Sequence, residues 1–157
     1  MLRTGVVVAL GALALGLGGC EGRARADAAQ SAARLLAAAE AGDRVAFEAE
    51  IDRPAVREDV RRQIVELARA EGLEVDGGPS DFALDRMIGP AAIRVVRADD
   101  GEPLAAQMKI TGRDRACLPD ENAKGRCLLS FRKREDGWRL VGMQAMDLTV
   151  EVAAVGD

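Results

Sequence analysis

The chain contains no histidine and no tyrosine among its 157 residues, and only three phenylalanines and one tryptophan. The absence of histidine excludes a serine–histidine–aspartate triad, a zinc site with histidine ligands and a histidine proton shuttle. Lysine occurs only at Lys109, Lys124 and Lys133, so a general base has to be one of these amines or a carboxylate. Because aromatic side chains are few, we expect a core of leucine, valine, isoleucine, alanine and methionine.

The chain also lacks an excess of basic residues. It has 22 lysines and arginines against 26 aspartates and glutamates, which gives a formal net charge of −4. Nucleic-acid-binding domains usually carry a net basic face, and anionic lipid attracts basic proteins. We therefore expect no nucleic-acid partner, and no attachment to a membrane through charge.

A hydrophobic run long enough to cross a membrane is missing as well. The apolar segment near the N-terminus, residues 5–17, has 13 residues, whereas a spanning helix needs about 20. Arg3 precedes this segment, and Gly18, Gly19 and Cys20 follow it. A basic residue, a short apolar stretch and a small-residue cleavage site are typical of a secretory signal peptide, which we predict for residues 1–19. An ordinary signal cut nearby and an uncleaved short anchor are the alternatives.

The four residues Leu17-Gly18-Gly19-Cys20 resemble the lipobox of bacterial lipoproteins. In that family the cysteine thiol receives a diacylglycerol, the signal is cut before the cysteine, and the freed amine is acylated. The resemblance implies that Cys20 is a lipid attachment site and that the membrane is a partner through this lipid. In the family, an aspartate after the cysteine favours the inner membrane. Since Glu21 stands there, the resemblance implies the outer membrane, facing the periplasm.

The remaining chain has the length of one domain. Residues 20–30 are polar and rich in alanine, and we expect them to form a lipidated tether, although their alanines could also extend the next helix. We predict a single α+β domain over residues 31–157, helical over 31–97 and built of strands over 104–155. Its fold class is N-terminal helices packed on a C-terminal curved antiparallel sheet of three to four strands.

Local signals place the helices and the main hairpin. Asp43 and Asp52 are suited to cap two helices, and either Ser80 or Asp81 can cap a third. A further helix is expected after Pro90. In the last part of the chain, Asp136-Gly137 predicts a two-residue hairpin turn. That turn would place Glu135 opposite Trp138 and Phe131 opposite Gly142, with the glycine leaving room for the phenylalanine ring. The returning strand would run from Trp138 to about Val152.

The other two cysteines, Cys117 and Cys127, flank a turn-rich loop between two predicted strand ends. The signal peptide implies an oxidising compartment, in which such a pair favours a structural disulfide. Two buried free thiols and a redox or metal-binding pair are the alternatives. A reactive pair is usually spaced C-x-x-C, which this pair is not.

Two further resemblances concern the folded domain. Residues 37–43 and 52–58 resemble the uncharacterised domain-of-unknown-function family 2939, whose members show a helix, a Gly-Asp step and a further helix. That resemblance implies no catalytic residue. The order of helices before strands, with Asp136-Gly-Trp-Arg-Leu140 in a late hairpin, is similar to the nuclear-transport-factor-2-like (SnoaL-like) superfamily. It implies early helices curled against a bent antiparallel sheet.

Two function classes fit these patterns. The first is a non-catalytic envelope module for binding or assembly, whose partner is an envelope protein or a small apolar ligand. The second is a small-molecule enzyme of the SnoaL-like class with a carboxylate base, for which Asp81, Asp85 and Glu102 are candidates. Each of these three acids would otherwise be a helix cap or a solvated turn residue.

The acidic turn Asp99-Asp-Gly-Glu102 offers oxygen ligands of the kind that calcium prefers. It lacks the full spacing of a calcium loop, and we expect a solvated turn. The sequence therefore predicts no metal, no cofactor and no catalytic residue. Its assignable sites are Cys20 for lipid and the Cys117–Cys127 pair for a disulfide.

Overall fold

The computed structural model describes residues 18–146 and 148–153. The predicted signal peptide lies outside the described residues, except for Gly18 and Gly19. In the described part, helices come first and an antiparallel sheet of four strands follows, which confirms the predicted α+β class. The helices are α1 (Gly18–Ala41), α2 (Arg44–Ala49), α3 (Arg53–Ala70), α4 (Asp81–Met87) and α5 (Leu104–Gln107). The strands are β1 (Arg94–Ala98), β2 (Lys109–Gly112), β3 (Arg115–Pro119), β4 (Cys127–Arg134), β5 (Gly137–Met143) and β6 (Thr149–Ala153).

The first helix reaches further towards the N-terminus than expected. The tether predicted for residues 20–30 is instead part of α1, and Ala28 and Ala29 are buried in it. Alanine favours helix, and its small side chain lets the helix approach its neighbours closely. The structure therefore has the alternative arrangement, in which the alanines of residues 20–30 extend the helix that follows them.

The predicted caps form as expected. Asp43, Asp52 and Ser80 each accept a hydrogen bond from the amide three residues later, at 3.0 Å, 3.2 Å and 3.3 Å. Each cap satisfies one of the amides that a helix N-terminus leaves without an intrahelical partner. The positions of α2, α3 and α4 along the chain therefore follow from local chemistry.

The prediction of a helix after Pro90 is wrong. A single 3₁₀ turn, Pro90–Ala92, leads into β1, which pairs in parallel with β6 from Arg94↔Thr149 to Ala98↔Ala153. The predicted helical region 31–97 therefore ends too late, because the β-branched pair Val95 and Val96 favours strand. Two further boundaries of the predicted 104–155 sheet also change. Residues Leu104–Gln107 are helical, and β6 pairs with β1 outside the antiparallel sheet.

The antiparallel sheet has the strand order β2-β3-β4-β5, and its last hairpin has a different register from the one predicted. Lys133 lies opposite Trp138, so Glu135 and Asp136 form the turn. Gly137 begins β5 with a φ of +125°, a conformation that favours glycine. The glycine that the turn requires is therefore the first residue of β5. As a result, Lys133 rather than Glu135 lies opposite Trp138, two positions from the predicted pairing. A shift between Ser130 and Phe131 then brings Ser130 opposite Gly142.

The core lies between α1 and the inner face of this sheet. From the strands, Leu129, Phe131, Trp138 and Leu140 are buried together. From α1, Leu35 is fully buried against them. Leu, Phe and Trp of this size each contribute about 1.5–3 kcal/mol on burial, so this layer accounts for much of the driving force for folding.

The edge of the sheet at β5 is closed by the connection between α2 and α3. The Asp52 amide donates to the Leu140 carbonyl at 2.8 Å, and the Leu140 amide donates to the Glu50 carbonyl at 2.9 Å. Ile51 thereby forms a parallel bridge with Leu140. The pairing covers an edge that would otherwise expose free backbone groups, and it starts α3 beside β5.

The structure joins Cys117 and Cys127 in a disulfide, with their Cα atoms 5.5 Å apart. The bond connects β3 to the beginning of β4, next to the loop that separates them. Cys20, the third cysteine, is free and exposed. Two of the three cysteines are therefore bonded to each other, and lipid attachment at Cys20 stays a prediction.

Replacing Cys117 and Cys127 together with serine should lower the free energy of unfolding by about 2–3 kcal/mol, because the short loop between them is no longer closed in the unfolded chain. Urea unfolding followed by circular dichroism measures the loss. A reductant should destabilise the wild-type chain by a similar amount and leave the double variant unchanged. A wild-type unfolding curve that does not respond to the reductant would contradict the assignment.

Candidate functional site

A cleft lies between α3 and the outer face of the antiparallel sheet, opposite the core. Its volume of about 440 Å³ is within the range usual for small-molecule sites. One wall is the α3 face with Ala55, Glu58, Asp59 and Arg62, which recur every three or four residues. The sheet contributes both cysteines of the disulfide bond and polar side chains from β2, β3 and β4: Thr111, Arg115, Cys117, Cys127, Ser130, Arg132 and Arg134.

Arginines dominate the sheet side of this cleft. Arg115 lies directly opposite Arg132, and Arg132 lies directly opposite Arg139 on the next strand. Side chains at such positions share one face of the sheet, with Cβ atoms about 4.5–5.5 Å apart. Three like charges therefore stand in one row, an arrangement that costs stability unless anions neutralise it.

The row is neutralised unevenly. Arg139 donates to Asp136 at 2.5 Å, and Arg132 lies 3.5 Å from the Asp114 carboxylate. Arg115, in contrast, makes no ion pair with any residue that the structure describes. The sheet side of the cleft therefore has one guanidinium without a protein anion beside one that is only loosely paired.

The most buried acid of the cleft is Asp59. Its side chain is 20 % exposed, and it accepts hydrogen bonds from Gln63 at 2.7 Å and from Arg62. Burial raises the pKa of the Asp59 carboxyl above its usual value, since the ionised form is partly withdrawn from water. Asp59 was not among the acids that the sequence nominated.

The Asp59 side chain can lie close to β5 because residue 142 is a glycine. A Cβ atom at Gly142 would lie 2.7 Å from Oδ2 of Asp59, so only glycine lets α3 approach β5 at this point. The prediction that Gly142 leaves room for Phe131 is wrong, because Gly142 lies opposite Ser130 and the three atoms nearest to an added Cβ all belong to Asp59. A glycine inside a strand does indicate a close approach, but the sequence alone does not name the partner.

The acids nominated as bases lie elsewhere. Asp85 receives two hydrogen bonds from Arg57, at 2.7 Å and 2.6 Å, and one from Arg53 at 2.9 Å. The Arg57 guanidinium, followed by Arg53, holds the pKa of the Asp85 carboxyl below its usual range. Asp81 pairs with Arg61 on the same helix surface. These pairs attach α4 to α3, and a lowered pKa is the opposite of what a base near neutral pH needs.

Glu102, Asp99 and Asp100 are exposed in the connection between β1 and α5. Within residues 18–146 and 148–153, no three side chains of the metal-ligating types are arranged to hold an ion. A smaller cleft of about 260 Å³ is mostly apolar and is lined by Val60, Met87, Ile88 and Leu148 among others. It is below the usual volume of ligand sites.

In the described part of the chain, no helix is both long enough and apolar enough to span a membrane. Cys20 lies in the first turn of α1 with its thiol exposed. No known family model, curated protein or solved structure matched the chain. The resemblances to lipoproteins, to family 2939 and to the SnoaL-like superfamily therefore stay predictions from the sequence.

Replacing Gly142 with alanine should lower the free energy of unfolding by about 1–3 kcal/mol, because the added methyl group overlaps the Asp59 carboxylate. Combining it with Asp59→Ala should cost less than the sum of the single changes, since the two groups are in contact. Gly112→Ala is a matched control, as its Cβ would meet nothing nearer than the Arg115 Cβ at 3.9 Å. Equal losses for Gly142→Ala and Gly112→Ala, measured by urea unfolding, would contradict the close approach.

Asp85 should make stability depend on pH in the acidic range. Its folded pKa is below the unfolded value of about 3.9, so its ion pairs stabilise the folded chain above that pH, and their contribution disappears as pH falls through the folded pKa. Asp85→Asn should therefore lower the free energy of unfolding at neutral pH, and the difference from wild type should shrink towards about pH 2. Exposed Glu74, changed to glutamine, is the control. If the difference in the free energy of unfolding between Asp85→Asn and the wild type stays constant with pH, the ion pairs of Asp85 do not contribute to stability.

Proposed function

We propose that this chain is a lipid-anchored protein of the bacterial cell envelope, and that its folded domain is a non-catalytic binding module. The cleft between α3 and the antiparallel sheet is the binding site. The observation that carries the proposal is the composition of this cleft. It has the volume of a ligand site, its walls are a helix and disulfide-linked strands, and arginines rather than an acid–base pair line it.

Three features support the anchor. Leu17-Gly18-Gly19-Cys20 resembles a lipobox, and the Cys20 thiol is exposed. The acidic chain has no net positive charge to hold it on anionic lipid. Acyl chains contribute about 0.8 kcal/mol for each methylene that enters the bilayer, so two or three chains anchor a protein stably.

The length of α1 adds a consequence for this anchor. At about 1.5 Å per residue, the helix covers about 12 Å between Cys20 and Ala28, which is fully buried in the domain. A lipid at Cys20 would therefore hold the domain close to the membrane surface by a helix rather than by a long tether. The outer membrane, with the domain facing the periplasm, is the proposed location.

The cleft supports a polar occupant more than the small apolar ligand that the sequence also allowed. Four arginines line it: Arg62, Arg115, Arg132 and Arg134. The apolar alternative would have to use the smaller cleft beside Met87 and Leu148, whose volume of about 260 Å³ is below the usual range. The partner is therefore proposed to be polar and to carry negative charge.

One observation favours the enzyme alternative. Asp59 lines the cleft and has a carboxyl pKa that burial raises, as a carboxylate base requires. Two contacts weigh against this role, since Arg62 and Gln63 both donate to its oxygens and stabilise the ionised form. If the domain is a binding module, Asp59→Asn should leave the affinity for the anionic ligand unchanged. If the domain is an enzyme, Asp59→Asn should also leave that affinity unchanged but should abolish turnover of the bound molecule.

Cys20→Ala tests the anchor directly. In cells fed an alkyne-bearing fatty acid, the wild-type chain should take up the label and sediment with the outer membrane, because the thiol carries the diacylglycerol. The variant should lose both label and sedimentation, since an acidic chain has no net positive charge to hold it on anionic lipid. Glu21→Gln, next to the cysteine, is the matched control and should stay labelled. Unchanged labelling of Cys20→Ala would refute the lipid anchor.

A further inference from the structure

We infer that the cleft between α3 and the sheet binds a phosphate-bearing small molecule, and that Arg115 and Arg132 hold its phosphate group. The inference rests on the proposed function, since it names the ligand class of the proposed binding site. Neither residue was singled out from the sequence.

The first argument is charge. The chain as a whole is acidic, with a formal net charge of −4. Of the four arginines that line the larger cleft, Arg62 is paired with Asp59 and Arg134 with Asp52. The other acid of the cleft, Glu58, is paired with Arg61. Positive charge without a close partner is therefore concentrated at Arg115 and Arg132, where it can attract an anion although the chain as a whole is acidic.

The second argument is the pairing of Arg115 with Arg132. The two arginines are directly opposite on neighbouring strands, where like charges destabilise a sheet. Arg115 has no ion pair among the described residues, and Arg132 has only Asp114 at 3.5 Å. An anion held between the two guanidinium groups would remove their repulsion. The arrangement is therefore more stable with a ligand than without one.

The third argument is geometry. Each guanidinium presents a planar fork of N–H donors that binds phosphate oxygens in pairs. A carboxylate has two oxygens and one charge, which a single fork satisfies. A phosphate monoester has three terminal oxygens and close to two charges near neutral pH, so it matches two neighbouring forks. The pair Arg115–Arg132 therefore favours phosphate over carboxylate.

The surroundings fit a molecule larger than inorganic phosphate. The hydroxyl groups of Ser130 and Thr111 also line the cleft, and each can donate or accept a hydrogen bond. The volume of about 440 Å³ leaves room beside the phosphate for a sugar or glycerol unit. The Cys117–Cys127 bond joins the two strands that carry the arginines, so their separation is fixed before the ligand arrives.

Calorimetric titration of the mature chain, purified from cells in detergent, tests the inference. Two probes separate the sources of phosphate: glucose 1-phosphate represents a sugar phosphate, and glycerol 3-phosphate represents a lipid headgroup. At least one should bind to one site per chain, and binding should weaken as salt is added. Glucose without phosphate should not bind. The probe that binds more tightly identifies the source.

Arg115→Ala and Arg132→Ala should each weaken binding by about tenfold or more, because each removes a charge-assisted fork. Arg69→Ala is the control, since Arg69 is exposed at the other end of α3 and outside the cleft. Arg132→Lys keeps the positive charge but lacks the planar pair of N–H donors, so it should also bind the phosphate probe more weakly. This conservative variant keeps the test decisive if an alanine variant does not fold.

Two results would overturn the inference: the absence of heat with either phosphate at millimolar concentration, or an equal loss of affinity in Arg69→Ala. The anchor is judged separately, because fatty-acid labelling of Cys20 does not depend on the cleft. Failed phosphate binding with intact labelling rejects the ligand class alone. Phosphate binding without labelling rejects the anchor and supports the inference.

Discussion

The position of α3 depends on one short backbone pairing. The connection between α2 and α3 adds itself to the edge of β5, where the Asp52 amide donates to the Leu140 carbonyl at 2.8 Å and the Leu140 amide donates to the Glu50 carbonyl at 2.9 Å. Asp52 also caps α3 and accepts a hydrogen bond from Arg134 at 2.5 Å. Further along the helix, Gln63 donates to the Met143 carbonyl at 2.9 Å. Because α3 is fixed at both places, the cleft between it and the sheet has a defined width.

The two faces of the sheet serve different purposes. The inner face is buried with α1 and supplies the hydrophobic stabilisation, which allows the outer face to carry groups that cost free energy. Arg115 and Arg132 side by side are such groups, and so is the partly buried Asp59. The disulfide between Cys117 and Cys127 lines the same cleft and joins the strands that carry the two arginines. Natural proteins retain such unfavourable arrangements mainly at functional sites.

The sequence predicted the features whose causes are local. The cap at Asp43 depends on residues within one helical turn, and the disulfide joins two strand ends that only a short loop separates. The pairing of Arg94 with Thr149 could not be predicted, because its partners are 55 positions apart and no turn connects them. The candidate site was missed for the same reason. Gly142 signalled a close approach, but only the path of α3 across the sheet identifies Asp59 as the neighbour.

The central claim is the proposal that the arginine-lined cleft is the binding site of this chain. The most direct measurement is a two-dimensional nuclear magnetic resonance spectrum of the arginine Nε–Hε groups of the full chain, recorded while glucose 1-phosphate is added. The account predicts that the signals of Arg115 and Arg132 shift and saturate together, while that of Arg69 stays in place. A uniform small shift of all arginine signals, or no shift at Arg115 and Arg132, would contradict it.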